Sequence, residues 1–380
     1  MDTGIKAKLN SIFTVKRIII LSISIFCIVA FFVCLAISSS IRTPMRSQQA
    51  ANAWAGQSGE RFSQLSVFFP ETYSFTEDNI RSMYTTLDNS LRTVSLESTQ
   101  GRTLYTDAWS TSGEVSLISR RGSVSAKAIA VGGDFFLFHP LNLRDGSYLS
   151  PNDVMKDRIV IDEDLAWRLF GAVKIAGFDV LINGKPFLVA GVISREDDFA
   201  TSTAYTDGAG LFMSFEAFND MNGGGMSISC YEIILPDPIS GFAKSTLTEA
   251  ISNSSAHIIE NTTRFSLGNT FALVSEFGQR SMRTYAIAYP YWENAARLAE
   301  DWLALLLMLS LFFIVFPVIC TIIYSVILIR LLIKHGKVLV KNLIAKKDKR
   351  AYEKYLIEHH EEPQIYSVDD IVREVKDEIY

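Results

Sequence analysis

The sequence has few cysteines, and their positions exclude a fold held together by disulfides. Only four Cys occur in 380 residues. Cys27, Cys34 and Cys320 lie within apolar runs, which leaves Cys230 with no partner in the central part of the chain. A hydrophobic core must therefore hold the central part together, as in an envelope protein that is not stapled by disulfides.

Motifs of enzyme catalysis and of metal binding are also missing. The sequence has no G-x-x-x-x-G-K-[ST] loop, so the chain does not carry a transporter ATPase on the usual phosphate-binding loop. Neither G-x-S-x-G nor H-E-x-x-H occurs. His139 precedes Pro140 in an aromatic run, which favours a packed or turn histidine over a ligand. We predict no enzyme, no cofactor and no metal site.

Two acidic or histidine-containing clusters are better explained by local structure than by metal binding. Asp162, Glu163 and Asp164 precede an apolar helical pattern, where acids complement the helix dipole. A calcium site would need more oxygen ligands from elsewhere. His359 and His360 are adjacent, so on a helix they would point apart, which favours a solvated tail.

Positive charge is scarce in the central part of the chain. The net charge is −5, and Lys and Arg concentrate in residues 1–17 and 330–350, on the outer sides of two apolar runs. Nucleic-acid binding needs a basic patch or stripe, which the central part does not have. We therefore exclude a nucleic-acid partner.

The two apolar runs are long enough to cross a membrane. The chain is 48% hydrophobic, and neither Ile18–Ile41 nor Trp302–Ile329 contains a charged residue. As helices, both runs are longer than the thickness of the hydrocarbon core of a membrane, about 30 Å. The alternative for the first run is a cleaved signal peptide, but its apolar part is too long and no A-x-A site follows. We predict transmembrane helices at 18–41 and 302–329.

The basic flanks predict the orientation of both spans. Lys16 and Arg17 precede the first, and Arg330 and Lys334 follow the second. Positive flanks remain on the cytoplasmic side. We expect a bacterial cytoplasmic-membrane protein with a cytoplasmic N-terminus at 1–17, an extracytoplasmic domain at 42–300 and a cytoplasmic tail at 330–380. An outer interfacial belt is expected from the aromatic residues near the second span: Tyr289, Tyr291, Trp292 and Trp302.

Small and polar residues within the spans indicate helix packing. Small side chains at helical spacing let another helix approach closely. Pro317 would interrupt and kink the second span. The span contains no acid or base, so packing without transport remains the alternative to a transport role. The helix-packing candidates are Ala30, Cys34, Ser38, Pro317 and Thr321.

The extracytoplasmic part has the local patterns of an α+β domain. The Ala-rich stretch 43–58 is expected to prolong the first span as a helical stalk. Ile80, Met83 and Leu87 have helical spacing after Thr76, a predicted N-cap. Asn183-Gly184 predicts a type I′ hairpin. Strands are predicted at 102–109, 114–118, 123–131, 158–162, 178–182, 186–193 and 230–235, with further helices at 163–170 and about 241–253.

Five motifs in residues 131–193 resemble the MacB-type periplasmic core domain of bacterial ABC-transporter permeases. They are V-G-G-D-F-F at 131–136, L-R-D-G-S-Y at 143–148, R-I-V-I-D-E at 158–163, A-W-R-L-F-G at 166–171 and the hairpin I-N-G-K-P-F-L-V-A-G-V at 182–192. Their order and spacing agree with the family, and so does a span on each side of the domain. The structural motif residues are Gly133, Asp134, Phe135, Gly146, Phe170, Gly171, Asn183, Gly184, Gly191 and Val192.

The resemblance implies a membrane-anchored α+β protein in which two transmembrane helices flank a two-lobed core domain. A porter-like lobe would occupy about 60–130 and 226–255, and an inserted lobe about 131–225. Permeases of this family have three spans after the outer domain, whereas this sequence has one. The implied partners are membrane lipid and a cytoplasmic ABC ATPase in trans, with either a homodimer or pairing with a full-length permease.

The end of the tail has the pattern of a docking helix. Ser367 and Asp370 resemble a capping box. A short helix with an exposed apolar stripe needs a partner to be stable. The tail docking candidates are Val368, Ile371, Val372, Val375 and Ile379.

The sequence is compatible with two functions. The leading one is a permease-like subunit that couples a cytoplasmic ATPase to the extracytoplasmic domain. The alternative is an envelope sensor or scaffold that does not transport. The sequence does not name a substrate.

Overall fold

The structure, a computed structural model, describes residues 15–96, 103–205, 210–251, 255–280 and 287–358. The helices are α1 (Val15–Arg42), α2 (Ala50–Ala55), α3 (Glu77–Thr93), α4 (Phe135–Phe138), α5 (Glu163–Phe170), α6 (Phe199–Ala204), α7 (Phe215–Met221), α8 (Phe242–Ile251), α9 (Leu267–Arg280) and α10 (Tyr291–Glu358). The strands are β1 (Phe62–Phe68), β2 (Thr106–Ser119), β3 (Gly122–Gly133), β4 (Asn142–Gly146), β5 (Arg158–Asp162), β6 (Asp179–Ile182), β7 (Lys185–Ser194), β8 (Gly210–Ser214), β9 (Cys230–Pro236) and β10 (His257–Glu260).

The strands form one mixed sheet in the order β10-β1-β9-β2-β3-β8-β5-β7-β4, and β6 pairs with β2 and β7. The β3–β8 and β5–β7 pairs are parallel and the others are antiparallel. The described strands and helices confirm an α+β domain.

Each face of the sheet carries a separate core because side chains alternate along the strands. In β1, Leu65 and Val67 pack on one face beneath α3 and α8, whereas Phe62 and Phe68 pack on the other with α2 and α4. The second face also buries polar side chains. Gln64 is 0% exposed, and Ser66 and Glu232 are each 2% exposed.

Several sequence predictions are confirmed at residue level. Helix α3 begins after Thr76, where the side chains of Thr76 and Asn79 form a capping box. Helix α5 begins at the Asp162 N-cap, whose carboxylate accepts from Leu165 N at 2.7 Å, and ends at left-handed Gly171. Asn183 and Gly184 both have positive φ, at 48° and 84°, as a type I′ turn requires.

Two predictions of local structure are wrong. The predicted helical stalk over 43–58 is absent, because α1 ends at Arg42 and a 3-10 turn precedes the short helix α2. Strand β2 runs from Thr106 to Ser119, so residues 106–109 of the first predicted strand and the whole second one, 114–118, form one strand; residue 102 lies outside the described residues. The polar residues Ser110–Ser112 of β2 pair with β3 instead of forming a turn.

The second apolar run belongs to a longer helix. Helix α10 has 68 residues and continues through Pro317. Both α1 and α10 contain windows long and apolar enough to cross a membrane. Residues 30–311 form one compact unit. In the other unit, the rings of Phe26 and Phe313 meet edge to face at 6.3 Å between centroids.

Candidate functional site

The first turns of α10 are embedded in the compact unit of residues 30–311. Trp292 is 4% exposed and packs against the rings of Phe135 and His139, with centroids 5.6 and 4.5 Å away. Tyr289 packs on Phe68 with 5.1 Å between centroids. Trp292 belongs to the second core, and Tyr289 and Tyr291 pack against it, so these three side chains contact the domain and the predicted interfacial belt is wrong for them. Trp302 is 41% exposed.

A buried cluster of charges anchors the same helix. The Arg264 guanidinium donates from Nη1 to Glu293 Oε2 at 2.7 Å and from Nη2 to Glu293 Oε1 at 2.9 Å. Its Nε donates to Glu300 Oε1 at 2.6 Å. Arg297 Nε also donates to Glu293 Oε1, at 2.7 Å. Arg264 and Glu293 are almost inaccessible to solvent, so each depends on the other to offset the cost of burying a charge.

The cluster determines the charge of its members. Burial alone would raise the pKa of Glu293, but Arg264 and Arg297 overcome it and hold that pKa below its usual range. Burial opposes the charged form of Arg264, and Glu293 and Glu300 more than offset it, which raises the pKa of Arg264. The site therefore contains fixed charges of both signs.

Polar contacts extend from the cluster to the segment that follows α1. Arg264 Nη1 donates to Gln48 Oε1 at 3.3 Å. Gln64 of β1 donates to the Ser47 carbonyl at 2.6 Å and accepts from the Ala50 amide at 3.0 Å. The base of α10, the segment after α1 and the sheet are thus joined by directional bonds.

A second buried network lies on the same face of the sheet. Ser66 and Glu232 are paired across β1 and β9, and the Ser66 hydroxyl donates to Glu232 Oε1 at 2.9 Å. His139 Nε2 bonds the other Glu232 oxygen, and both side chains are 3% exposed. Asn261 Nδ2 donates to Ser66 at 2.6 Å. The prediction of a packed His139 is confirmed, and its partner is a carboxylate.

A cavity of about 100 Å³ lies beside the start of α10. Arg195 donates from Nε and Nη2 to Asp162 Oδ2 at 2.9 and 2.7 Å, and the same oxygen accepts from the Gly210 amide. The rings of Tyr205 and Tyr291 stack with centroids 4.2 Å apart. The cavity is lined by Arg195, Asp162, both tyrosines and Trp292. At this volume it has room for a few water molecules and not for a large substrate.

Two further acidic side chains, Glu196 and Asp107, are half-buried. Burial raises the pKa of Glu196, against the opposing effects of His139 and the Tyr205 and Tyr291 hydroxyls. Burial likewise raises the pKa of Asp107. Its Oδ2 accepts from Tyr84 at 2.6 Å and Tyr231 at 2.7 Å. Among the described residues, no group of three His, Cys, Asp or Glu side chains could hold a metal ion.

The family-motif residues shape turns and packing at several separate places. Gly133 has φ +63°, and a Cβ there would lie 2.4 Å from the Asp107 carbonyl oxygen. Asp134 accepts from the Thr106 hydroxyl at 2.6 Å. Phe135 packs on the Trp292 ring and so contacts α10.

The remaining motif residues lie at strand ends and turns. Gly146 pairs with Gly191 between β4 and β7, and Val192 is fully buried beside them. Phe170 meets the Phe178 ring at 5.7 Å between centroids, and Gly171 ends α5. The hairpin residues Asn183 and Gly184 form the β6–β7 turn, and Asn183 exchanges two hydrogen bonds with Ser116 of β2.

The helix-packing candidates keep their status as predictions. In α1, Cys34 is 7% exposed and its carbonyl accepts from the Ser38 hydroxyl at 2.8 Å, while Ala30 is half-buried. In α10, Pro317 is buried and its carbonyl accepts from the Thr321 hydroxyl at 2.8 Å. Both hydroxyls are therefore bonded within their own helix. The tail candidates Val368, Ile371, Val372, Val375 and Ile379 lie outside the described residues, as do His359 and His360.

Sequence reasoning missed the Arg264 cluster. A partial signal was present, because Glu293, Arg297 and Glu300 recur at i, i+4 and i+7 and so share one helical face. Their buried partner, Arg264, lies in an irregular segment after β10 with no periodic pattern around it.

The comparisons with known proteins identify the domain. Residues 18–240 match the family described as MacB-like periplasmic core domain. Among solved structures, the periplasmic region of MacB from Actinobacillus actinomycetemcomitans is 20% identical with a TM-score of 0.37, covering 58% of this chain and 93% of that one. The extracellular domain of the ABC-type transporter YknZ from Gram-positive bacteria is 16% identical with a TM-score of 0.37, covering 52% and 99%. No curated protein matches the sequence.

The family match covers more than half of the chain. The protein belongs to the family of MacB-like periplasmic core domain proteins, a family of the ABC-transporter permease type. The resemblance drawn from the five sequence motifs is confirmed.

Proposed function

We propose that this protein is a permease-like membrane subunit of a bacterial ABC-type system. It couples a cytoplasmic ATPase, bound in trans, to the extracytoplasmic domain. The observation that carries the proposal is the continuity of α10, which runs without a break from the buried Arg264 cluster into the apolar stretch 302–329. Directional charge pairs hold the first turns of this helix in the domain, so a displacement along the helix would reach the Arg264 cluster.

The family membership and the two apolar helices support a location in the cytoplasmic membrane. The proposed spans are 18–41 and 302–329, with both termini in the cytoplasm and 42–300 outside. The basic flanks at Lys16, Arg17 and Arg330 support this orientation under the positive-inside rule.

The proposed mechanism passes along α10 to the Arg264 cluster. ATP hydrolysis by the partner changes the packing of the spans, and α10 carries the change to Glu293 and Arg264. Gln48 and Gln64 then connect the same movement to β1.

Purification of the full chain in mild detergent from its native membrane tests the proposal. We expect an ABC ATPase to copurify, and the complex to contain either a second copy of the chain or a longer permease. Recovery of a signalling protein without any ATPase would instead support the sensor or scaffold alternative. Deletion of 363–380 tests whether the tail docking residues contribute, since it should weaken ATPase recovery.

A further inference from the structure

The short helix α6 packs closely against the base of α10. Ala200 of α6 joins Met45 and the α10 residues Ala295, Ala296 and Ala299 in a small buried cluster. Ala200 is 1% exposed and the three α10 alanines are fully buried. Because these side chains are small, the two helices approach closely, and the position of α6 along α10 is well determined.

The first residue of α6 is a phenylalanine that faces outward. Asp198 caps the helix, and its Oδ1 accepts from the Ala200 and Thr201 amides at 3.1 Å each. Ala200 and Thr201 are buried, whereas Phe199 is 54% exposed. An exposed aromatic side chain next to the buried Ala200 and Thr201 indicates a surface that the domain core does not cover.

Phe199 meets Trp302 at the point where the apolar part of α10 begins. The two rings pack edge to face with centroids 5.6 Å apart. Beyond Trp302, the exposed side of α10 is apolar at Leu305, Met308 and Leu309. Phe199 therefore extends this apolar surface from α10 onto the extracytoplasmic domain.

We propose that Phe199 inserts into the boundary between headgroups and acyl chains, so that α6 rests the domain on the outer surface of the membrane. Trp is enriched at that depth, and the ring contact holds Phe199 beside Trp302. The occupant is an electrically neutral phospholipid, because the neighbouring Asp197 and Asp198 carboxylates oppose anionic headgroups. This inference rests on the proposed function, in which 302–329 spans the membrane.

Collision accessibility of spin labels in the full chain tests the inference. Nitroxides are attached singly at Phe199→Cys, Leu309→Cys and Val154→Cys, in a chain with Cys27, Cys34 and Cys320 replaced by Ala. Cys230 is retained because it is buried. The labelled chains are reconstituted in phosphatidylcholine vesicles. Val154 is 93% exposed in a loop of the domain and serves as the aqueous control.

We expect the labels at 199 and 309 to collide more with oxygen, which concentrates in lipid, than with a water-soluble nickel chelate. The label at 154 should show the reverse order. If 309 is lipid-accessible while 199 behaves like 154, the membrane anchor holds and the inference about Phe199 is wrong. If the label at 309 also collides more with the nickel chelate than with oxygen, the proposed span is wrong and the inference about Phe199 is wrong with it.

Discussion

Arg264 and Glu293 form a two-pronged ion pair at 2.7 and 2.9 Å, and both side chains are almost completely buried. The pair joins an irregular segment after β10 to the first turn of the helix that continues into the apolar stretch. The geometry requires a guanidinium, since a lysine ammonium cannot offer two parallel donors to one carboxylate.

Removal of this pair should be costly. Arg264→Met leaves the buried Glu293 and the half-buried Glu300 without their shared partner, and we expect a loss of about 3–5 kcal/mol in the free energy of unfolding. Denaturant unfolding of the full chain in mild detergent measures it. The matched control is Arg81→Ala, which breaks the exposed pair with Asp78 and should change stability by less than about 0.5 kcal/mol. Equal losses in the two variants would contradict the assignment.

The lowered pKa of Glu293 predicts a loss of stability in acid. The folded state favours the ionised carboxylate, so this stabilisation is present above the ordinary pKa of 4.5 and disappears as the pH falls below it. The stability difference between the wild type and Glu293→Gln should therefore shrink as the pH is lowered from 4.5. Unfolding curves over a pH series measure the difference, and a constant gap would show that Glu293 is not held ionised.

Glu196 should show the opposite sign. Burial raises its pKa, so the folded state holds the proton more tightly than the unfolded state does. Stability is then lost as the pH rises from 4.5 toward the raised value. Glu196→Gln has no carboxyl proton to lose, and it can still accept hydrogen bonds from the tyrosines. Its stability relative to the wild type should therefore rise over that interval. Unfolding curves measured from pH 4.5 upward provide the test, and an advantage of the variant over the wild type that does not grow with rising pH would refute it.

The motif glycines should differ in how well they tolerate a side chain. Gly133, Gly146 and Gly184 all have positive φ, but a Cβ would strike backbone oxygen at 2.4 and 2.0 Å at the first two and meet nothing at the third. We expect Gly184→Ala to cost about 1–2 kcal/mol from conformation alone. Gly133→Ala and Gly146→Ala should cost more. Comparable unfolding free energies for all three would mean that the close approaches are not important.

Elements that depend on contacts between residues close in sequence were predicted correctly, and elements that depend on distant contacts were not. The Thr76 cap, the Asp162 helix start and the Asn183-Gly184 turn depend on neighbours within a few residues, and all three were predicted correctly. The stalk over 43–58 was predicted from alanine content, which is a weak preference. Helix α1 ends at Arg42, two residues before Pro44, which disfavours a helical conformation at Thr43, and Ala50 and Ala51 pack into the second core. Tertiary contacts routinely override such preferences.

The site required more than local pattern. Trp292 and Tyr291 lie close to an apolar run, so their sequence position favoured a membrane interface. Only the folded domain shows that Phe135 and His139 surround Trp292.

By itself, the sequence determined the two apolar helices, the α+β character of the domain and its family, because composition, periodicity and turn chemistry act over short stretches of chain. The tertiary structure alone decided where α10 is anchored. Arg264 reaches Glu293 across 29 positions and Gln48 across 216. No local pattern encodes such distant partners. They are brought together because the sheet places the segment after α1, the segment after β10 and the start of α10 at one end of the same buried face.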